Sequence, residues 1–506
     1  MRAVVTPPMH DDRLDDALRQ ACDRHANRIA LDGEECRLTY RELSDAAHAL
    51  AAQLRQAKVG KGSAVMVMCS NHPTDFVGFL AVWMTGAAVA PVHRSTPADV
   101  VATIQHKAQC VARIDLQDTT ALAYCVKLEA TDANDPERQR LLHSAALIIF
   151  TSGSTGLPKG AVLSHQAFHG KLRENQALFQ ASTDTVTLLV LNNTFSFGIW
   201  VALMTLLQGG RVVVRARFTP PAFLDALIAE RVSFVGVVPT MIRATLGAMT
   251  PDQQQAASAQ LARCGALRQI VIGGEPLGAT LSAQLRTFIA PAVLFDVYGL
   301  TETSTSDFYL NPRDYPAKAS SIGKAAARVR YRIVDDQGQD CPPNLPGQLQ
   351  IKTPFIMTGY LGDDVLTAQA FDAGWFQTGD LASVDEDGFV SIVGRLKELI
   401  VRGGNKITPI EVERALLRCT GIADAMAVGM PDAILGQRIH ALLVPAAGQT
   451  VDIDSVRREL TAILEKYKFP DVFYIATALP TGRTGKIDRG QLQRWLSEGK
   501  LQPVEA

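Results

Sequence analysis

Between positions 76 and 92 the chain carries no charged residue, and Gly86 and Pro91 interrupt the run. A membrane-spanning helix needs about 20 consecutive apolar residues. The pattern therefore predicts a buried helix ending near Gly86, then a strand over Ala87-Ala88-Val89-Ala90-Pro91-Val92. Residues 199–214 repeat the scheme: an apolar helix, Gly209-Gly210, then Arg211-Val212-Val213-Val214. Ala145-Ala146-Leu147-Ile148-Ile149-Phe150 reads as a buried strand, and Ala292-Val293-Leu294-Phe295 is a second short apolar run. Ser383-Val384 and Phe389-Val390-Ser391-Ile392-Val393 flank Asp385-Glu386-Asp387-Gly388, which predicts a hairpin. Pro409-Ile410-Glu411-Val412-Glu413-Arg414 opens a helix. Helices alternating with β-branched runs imply an α/β fold with largely buried sheets.

At 506 residues the chain is too long for one hydrophobic core, so two or more domains are expected. With 47% hydrophobic and 20% charged residues it reads as globular and soluble. A formal net charge of -1 gives no global pull toward nucleic acid or an acidic membrane. Pro7 and Pro8 break the N-terminal segment, which lacks a secretory apolar core. The cysteines at 22, 36, 69, 110, 125, 264, 341 and 419 include no Cys-x-x-Cys pair. Neither a zinc site nor a dense disulfide framework is indicated, and a reducing cytoplasm fits. Gly394-Arg395-Leu396-Lys397-Glu398 and Arg402-Gly403-Gly404-Asn405-Lys406 place glycines around a short charged stretch, a domain boundary with a hinge.

Chemistry concentrates in Thr151-Ser152-Gly153-Ser154-Thr155-Gly156-Leu157-Pro158-Lys159-Gly160. Glycines let backbone N–H groups converge on an anion, hydroxyls add donors, and a lysine adds charge. The loop is not a Walker A sequence, because Lys159 follows Pro158. A polyphosphate grip and a flexible linker both fit it in isolation. Tyr298-Gly299-Leu300-Thr301-Glu302-Thr303 offers an aromatic to stack on a base and an acid to hold Mg2+; equally, Thr301 caps a helix with Glu302 in its first turn. Asp380, after Trp375-Phe376-Gln377-Thr378-Gly379, either accepts ribose hydroxyls or bonds its own turn. Pro480-Thr481-Gly482-Arg483-Thr484-Gly485-Lys486-Ile487-Asp488-Arg489 reads as a second anion-binding loop or a basic surface turn.

Five segments in order, residues 151–160, 298–303, 375–380, 394–398 and 485–489, together resemble the adenylate-forming superfamily. It comprises acyl-CoA synthetases, peptide-synthetase adenylation domains and firefly luciferase. Leu38-Thr39-Tyr40-Arg41-Glu42-Leu43 and Gly86-Ala87-Ala88-Val89-Ala90-Pro91-Val92 are similar to its earlier elements. The resemblance implies a large N-terminal domain of stacked sheets with helices (1–394) and a small mobile α+β domain (395–506). It implies two half-reactions: a carboxylate attacks the α-phosphate of ATP to give acyl-AMP and pyrophosphate, then a thiol displaces AMP. It assigns Thr151, Ser152, Gly153, Ser154, Thr155 and Lys159 to the pyrophosphate, and Thr301 and Glu302 to phosphate and Mg2+. Asp380 holds the ribose with Arg395 nearby; Gly274, Glu275, Tyr298 and Gly299 line the adenine and acyl pockets. Lys486 serves adenylation only, with Thr155 and Glu302 as the other catalytic groups. Rotation about Lys397 then exchanges Lys486 for Gly403-Gly404, beside which the pantetheine arm enters.

Amino-acid-activating members carry an aspartate in Phe-Asp-x-Ser; here Phe195-Ser196-Phe197-Gly198-Ile199-Trp200 has Ser196 at that place. A buried ammonium without a counter-ion is costly, which counts against an ordinary α-amino acid. Phe195, Phe197 and Trp200 suggest an apolar or aromatic acid, or are plain core. Asp296 and Asp307 are the candidates to compensate for the missing aspartate. The expected activity is a carboxylate–CoA ligase using ATP and Mg2+. The alternative acceptor is the phosphopantetheine of a separate carrier protein, since Ile487-Asp488-Arg489 is similar to carrier-loading domains while Arg402-Gly403-Gly404 is similar to CoA ligases. A third reading is a non-catalytic nucleotide-binding protein; Lys159, Glu302, Asp380 and Lys486 argue against it.

Overall fold

The computed structural model describes residues 13–118, 123–129, 136–152, 158–446, 448–482 and 487–504. A nine-stranded sheet has six parallel strands at its centre: Val293–Tyr298, Gln269–Gly273, Phe234–Val237, Val186–Leu189, Arg211–Val214 and Ile29–Asp32. Antiparallel strands close both its edges. The central strands are short, apolar and β-branched, as expected where helices cover both faces. A seven-stranded sheet is built around Ala88–His93 and Ala64–Cys69, with Ala145–Ser152 and Pro158–Ser164 as an antiparallel pair.

The charge-free run folds as read. Helix Pro73–Thr85 is buried from Pro73 to Trp83, Gly86 ends it at φ 86°, and strand Ala88–His93 follows. Helix Ser196–Leu206 and strand Arg211–Val214 repeat the arrangement. A helix apolar on all sides belongs inside a protein, and these two share one core with facing strands of both large sheets. Trp83 Nε1 donates to Ala146 O at 2.7 Å, fastening helix to strand. Among the described residues no helix is long and apolar enough to cross a membrane.

A five-stranded antiparallel sheet follows, with strands Arg330–Val334, Gly347–Lys352, Phe371–Asp372, Trp375–Val384 and Val390–Arg395. Its last two strands are the hairpin expected around residues 385–388, in register Val384 opposite Val390. A three-residue 3-10 turn, Leu396–Glu398, leads to a separate five-stranded sheet between Ile400 and Ile475. That sheet has its own core, with helices Pro409–Leu416 and Ile453–Leu460 packed on one face. The architecture is a large N-terminal α/β domain with a smaller α+β unit after it.

Candidate active site

Around the glycine-rich loop, strands Ala145–Ser152 and Pro158–Ser164 set Thr151 opposite Lys159 and Ser152 opposite Pro158. Gly153, Ser154 and Thr155 lie outside the described residues, as does the Ser152 side chain. Lys159 Nζ sits 5.5 Å from the Tyr360 ring centroid, and Tyr360 Oη donates to Glu302 Oε1 at 2.7 Å. Burial and then the Glu302 carboxylate hold the Tyr360 phenol above its usual range, so it stays a donor. Sequence reasoning missed Tyr360. Its strand, Gly359–Tyr360, has only two residues, and it reaches Lys159 by pairing with Ala161 and Val162.

Thr301 does not cap a helix. Leu300 holds the cap position of a three-residue 3-10 turn, Thr301–Thr303. Ser304, Thr305 and Ser306 then take φ of 58°, 67° and 55°. The chain folds back so closely that a Cβ on Gly299 would lie 2.1 Å from Ser306 N, so only glycine fits there. A buried network holds this run: Lys171 Nζ lies 2.9 Å from Asp307 Oδ1 and 3.2 Å from Ser306 O, and Thr303 Oγ1 donates to Asp307 Oδ2.

Asp380 does not sit in a turn. It lies inside the ten-residue strand Trp375–Val384, at a bulge where Gly379 takes φ 74°. Bulges re-aim side chains beside active sites. Asp380 accepts from Tyr298 Oη at 2.5 Å through Oδ2 and from Arg395 Nε at 2.9 Å through Oδ1. A carboxylate has about four lone-pair positions, so two further donors can be accommodated. Asp380 itself is buried, while a Cβ on the neighbouring Gly379 would meet nothing within 4 Å.

Ser196 opens helix Ser196–Leu206, and its Oγ is 3.3 Å from Thr301 Oγ1. The helix start thus borders the turn Thr301–Thr303. Trp200 is 1% exposed and stacks on Phe179 at 5.8 Å, so it belongs to the core as much as to a pocket; Phe197, half-buried, packs against it at 5.5 Å. Phe195 is the half-buried N-cap. Asp307 is committed to Lys171, and burial raises the Asp296 carboxyl to about 8, leaving it mostly uncharged at neutral pH.

The small unit meets the large one at Glu275, whose Oε1 accepts from Ile487 N at 2.6 Å. Gly274 precedes it at φ 91°. Lys486 lies outside the described residues. Gly403 and Gly404 form the two-residue tip of a hairpin between Ile400–Arg402 and Asn405–Ile407, and a Cβ on either would meet nothing within 4 Å. Lys397 lies exposed in the turn Leu396–Glu398.

These residues fit Mg2+ and a nucleotide. Among the described residues no group of three or more His, Cys, Asp or Glu forms a metal site. A lone carboxylate such as Glu302 suits Mg2+, which commonly takes one or two carboxylates plus substrate phosphates.

The family model for the AMP-binding enzyme matches residues 18–361, and the model for the AMP-binding enzyme C-terminal domain matches residues 411–486. Feruloyl-CoA synthase from an Amycolatopsis species is 32% identical over 476 residues, covering 90% of this chain and 94% of that protein. 2-Succinylbenzoate–CoA ligase from Bacillus velezensis is 31% identical, covering 94% and 96%. Indoleacetate–CoA ligase from Aromatoleum aromaticum is 30% identical, covering 94% and 98%. Among solved structures, o-succinylbenzoate-CoA synthetase from Bacillus subtilis with its acyl-adenylate superposes with a TM-score of 0.78 at 24% identity, covering 94% of this chain and 97% of that one. ATP-bound MatB from Rhodopseudomonas palustris gives 0.82 at 24% identity, covering 96% and 99%. The chain belongs to the AMP-binding enzyme family and is an acid–thiol ligase, activating a carboxylic acid as its acyl adenylate and then forming a thioester.

Proposed function

We propose that the acid is aromatic and lacks an α-amino group, and that the thiol is CoA. The observation that carries the reading is Ser196 at the head of its helix, 3.3 Å from Thr301, with neither Asp307 nor Asp296 placed to supply the missing charge. Asp307 is neutralised by Lys171, and Asp296 carries a proton at neutral pH. An ammonium placed there would be buried without a partner. Three relatives with this overall chain length are named for feruloyl, indoleacetate and succinylbenzoate substrates, all aromatic.

In this reading the acid's carboxylate oxygen attacks the α-phosphorus in line as pyrophosphate leaves. The protein's work is positioning and charge neutralisation. Thr151, Ser152, Gly153, Ser154, Thr155 and Lys159 grip the pyrophosphate end. Glu302, oriented by Tyr360, is the residue to hold Mg2+, with Thr301 on phosphate. Asp380, steadied by Tyr298 and Arg395, accepts the ribose hydroxyls, and Gly274, Glu275 and Tyr298 line the adenine and acyl pockets. Lys486 neutralises the charge that develops as pyrophosphate departs.

The division falls at residues 394 and 395, with Lys397 in the connecting turn as pivot; the exposed Gly403-Gly404 tip is then the segment beside the thiol channel. Carrier loading has less support. Asp488 caps helix Arg489–Ser497, and Arg489 forks onto Glu413 at 2.7 and 2.6 Å, so both residues already have structural work. Eight unpaired cysteines suit a reducing cytoplasm. ATP–pyrophosphate exchange across a panel of carboxylic acids tests the reading, followed by mass detection of the CoA thioester. Exchange strongest with aromatic acids and product with free CoA is expected. Exchange confined to amino acids, or a thioester formed only on a carrier protein, overturns it.

A further inference from the structure

Glycine is a poor residue for a helix interior, yet Gly170 sits inside helix His165–Phe179, next to the buried Lys171. The reason is the buried ring of Phe355. A Cβ on Gly170 would lie 2.7 Å from Phe355 Cε1, and the Lys171 ammonium lies 5.0 Å from the ring centroid. The same ammonium meets Asp307 Oδ1 and Ser306 O. This part of the helix therefore seats two segments remote from it in sequence.

Both segments lead to Glu302. Asp307 N donates to Tyr298 O at 2.6 Å and closes the loop that carries Thr301 and Glu302. Ser304 Oγ donates to Phe355 O at 2.8 Å, and Met357 N donates to Glu302 O at 2.6 Å. At its other end the segment 355–360 is fixed through Tyr360, whose short strand pairs with strand Pro158–Ser164. That strand runs straight into the helix of Gly170 and Lys171, which Ser164 caps by accepting from Ala167 N. One strand–helix unit thus holds both ends of the segment that presents the Tyr360 hydroxyl to Glu302 Oε1.

A buried ion pair is weak evidence for stability, because apolar residues of similar volume often replace one without loss; its best-attested use is to specify a geometry. The left-handed residues Ser304, Thr305 and Ser306 agree with that use, since strained backbone persists only where its surroundings over-determine it.

We propose, on the reading of Glu302 as the Mg2+ ligand, that Gly170 and Lys171 are positioning residues: through Phe355 and Asp307 they fix the direction of the Glu302 carboxylate and so set how tightly Mg2+ is taken up with ATP. Groups that orient a metal ligand typically cost about 10–100-fold in metal affinity or activity when lost. Gly170 and Lys171 act one contact further out, so their effect is smaller.

Two variants are the test. Gly170→Ala displaces the Phe355 ring and leaves the ion pair in place. The double variant Lys171→Met/Asp307→Val replaces the pair with apolar side chains and leaves no lone buried charge. Each is expected to raise the Mg2+ concentration for half-maximal pyrophosphate exchange roughly threefold to tenfold. KM for the acid stays within about twofold, since binding in the acyl pocket is untouched. Calorimetry gives a readout apart from catalysis: ATP binding is parental in EDTA and weaker than parental in Mg2+. Leu172→Ala, at a buried neighbour on the same helix, loses stability through its own cavity and keeps the parental Mg2+ titration. Gly170→Ala adds one methyl group and decides alone if the double variant does not fold. A parental titration in Gly170→Ala, or an equal shift in Leu172→Ala, overturns the proposal. Glu302→Gln run alongside separates the causes. A parental titration there means that the metal reading of Glu302 fails and the proposal with it; a shift there with none in Gly170→Ala removes only the positioning role.

Discussion

Tyr298 Oη donates to Asp380 Oδ2 at 2.5 Å, joining the last residue of a central strand of one sheet to a bulge residue of another. With Arg395 Nε on the other oxygen, both carboxylate oxygens are held in one orientation. Hydrogen bonds to a charged group contribute about 1.5–3 kcal/mol each. Asp380→Asn should therefore lower kcat/KM for ATP by roughly tenfold to a hundredfold. Tyr298→Phe, which keeps the ring, should lose severalfold only. Steady-state kinetics at saturating acid measure both, and a larger loss in Tyr298→Phe would mean that the phenol, not the acid, meets the nucleotide.

Glu302 and Tyr360 predict a metal signature. Glu302→Gln keeps the shape but replaces a hard-cation ligand with an amide. The Mg2+ concentration for half-maximal pyrophosphate exchange should rise at least tenfold, with thermal stability within a degree or two of the parent. Tyr360→Phe frees the carboxylate from its 2.7 Å partner and should shift the same titration by a smaller factor. A parental Mg2+ titration in Glu302→Gln would remove the residue from the metal site.

The sequence was most legible where local pattern and burial agree. Residues 76–92 and 199–214 carry their helix, glycine stop and strand in composition alone, because their uncharged helical runs can be satisfied only inside. Asp380 was visible as chemistry but misplaced as structure, since the bulge that re-aims it arises from pairing with residues 348–350. Tyr360 was invisible because its partner Glu302 lies 58 residues away. No local spacing encodes such contacts. Asp307 looked available for an ammonium, and only the fold shows that Lys171 already occupies it.

That pair makes its own prediction. The side chains of Lys171 and Asp307 are 1% and 0% exposed, and they hold three consecutive left-handed residues that cost about 1–3 kcal/mol each. Lys171→Met leaves a buried carboxylate without its cation, a loss of roughly 3–5 kcal/mol. Burial already raises the Asp307 carboxyl, with Lys171 opposing; removing the lysine raises it further. The folded variant then binds a proton that the unfolded chain has released, so its deficit grows as pH rises above the ordinary carboxylate range. Urea melts at pH 5 and pH 8 should show the larger deficit at pH 8. An equal deficit at both would mean that Asp307 stays ionised without its partner.

Asp296 gives the same sign without a cation. Burial raises its carboxyl from 3.8 to about 8. Between those values the folded chain keeps a proton the unfolded chain loses, so stability falls as pH rises through that window. Asp296→Asn resembles the protonated acid and does not titrate. Its melting temperature relative to the parent should climb from pH 5 to pH 8 and level off above about pH 8. A flat difference would show that the carboxyl ionises normally in the fold.

The acid's identity turns on Ser196. Its hydroxyl lies 3.3 Å from Thr301 and can accept a hydrogen bond but carries no charge to neutralise an ammonium, while Asp307 is paired and Asp296 protonated. An unpaired buried charge costs several kcal/mol, so an aromatic acid should outpace its α-amino counterpart by roughly a hundredfold or more in pyrophosphate exchange. Ser196→Asp places a carboxylate where the amino-acid activators of the family keep one. It should repel the substrate's own carboxylate, slowing plain acids, and should pair the ammonium of an amino acid. The ratio between matched substrates should then shrink to within about tenfold. Phenylpropionate against phenylalanine, each with parent and variant, measures all four rates. Faster exchange with phenylalanine in the parent would place an ammonium partner elsewhere in the pocket, and an unchanged ratio in Ser196→Asp would put the substrate's α-carbon away from this helix.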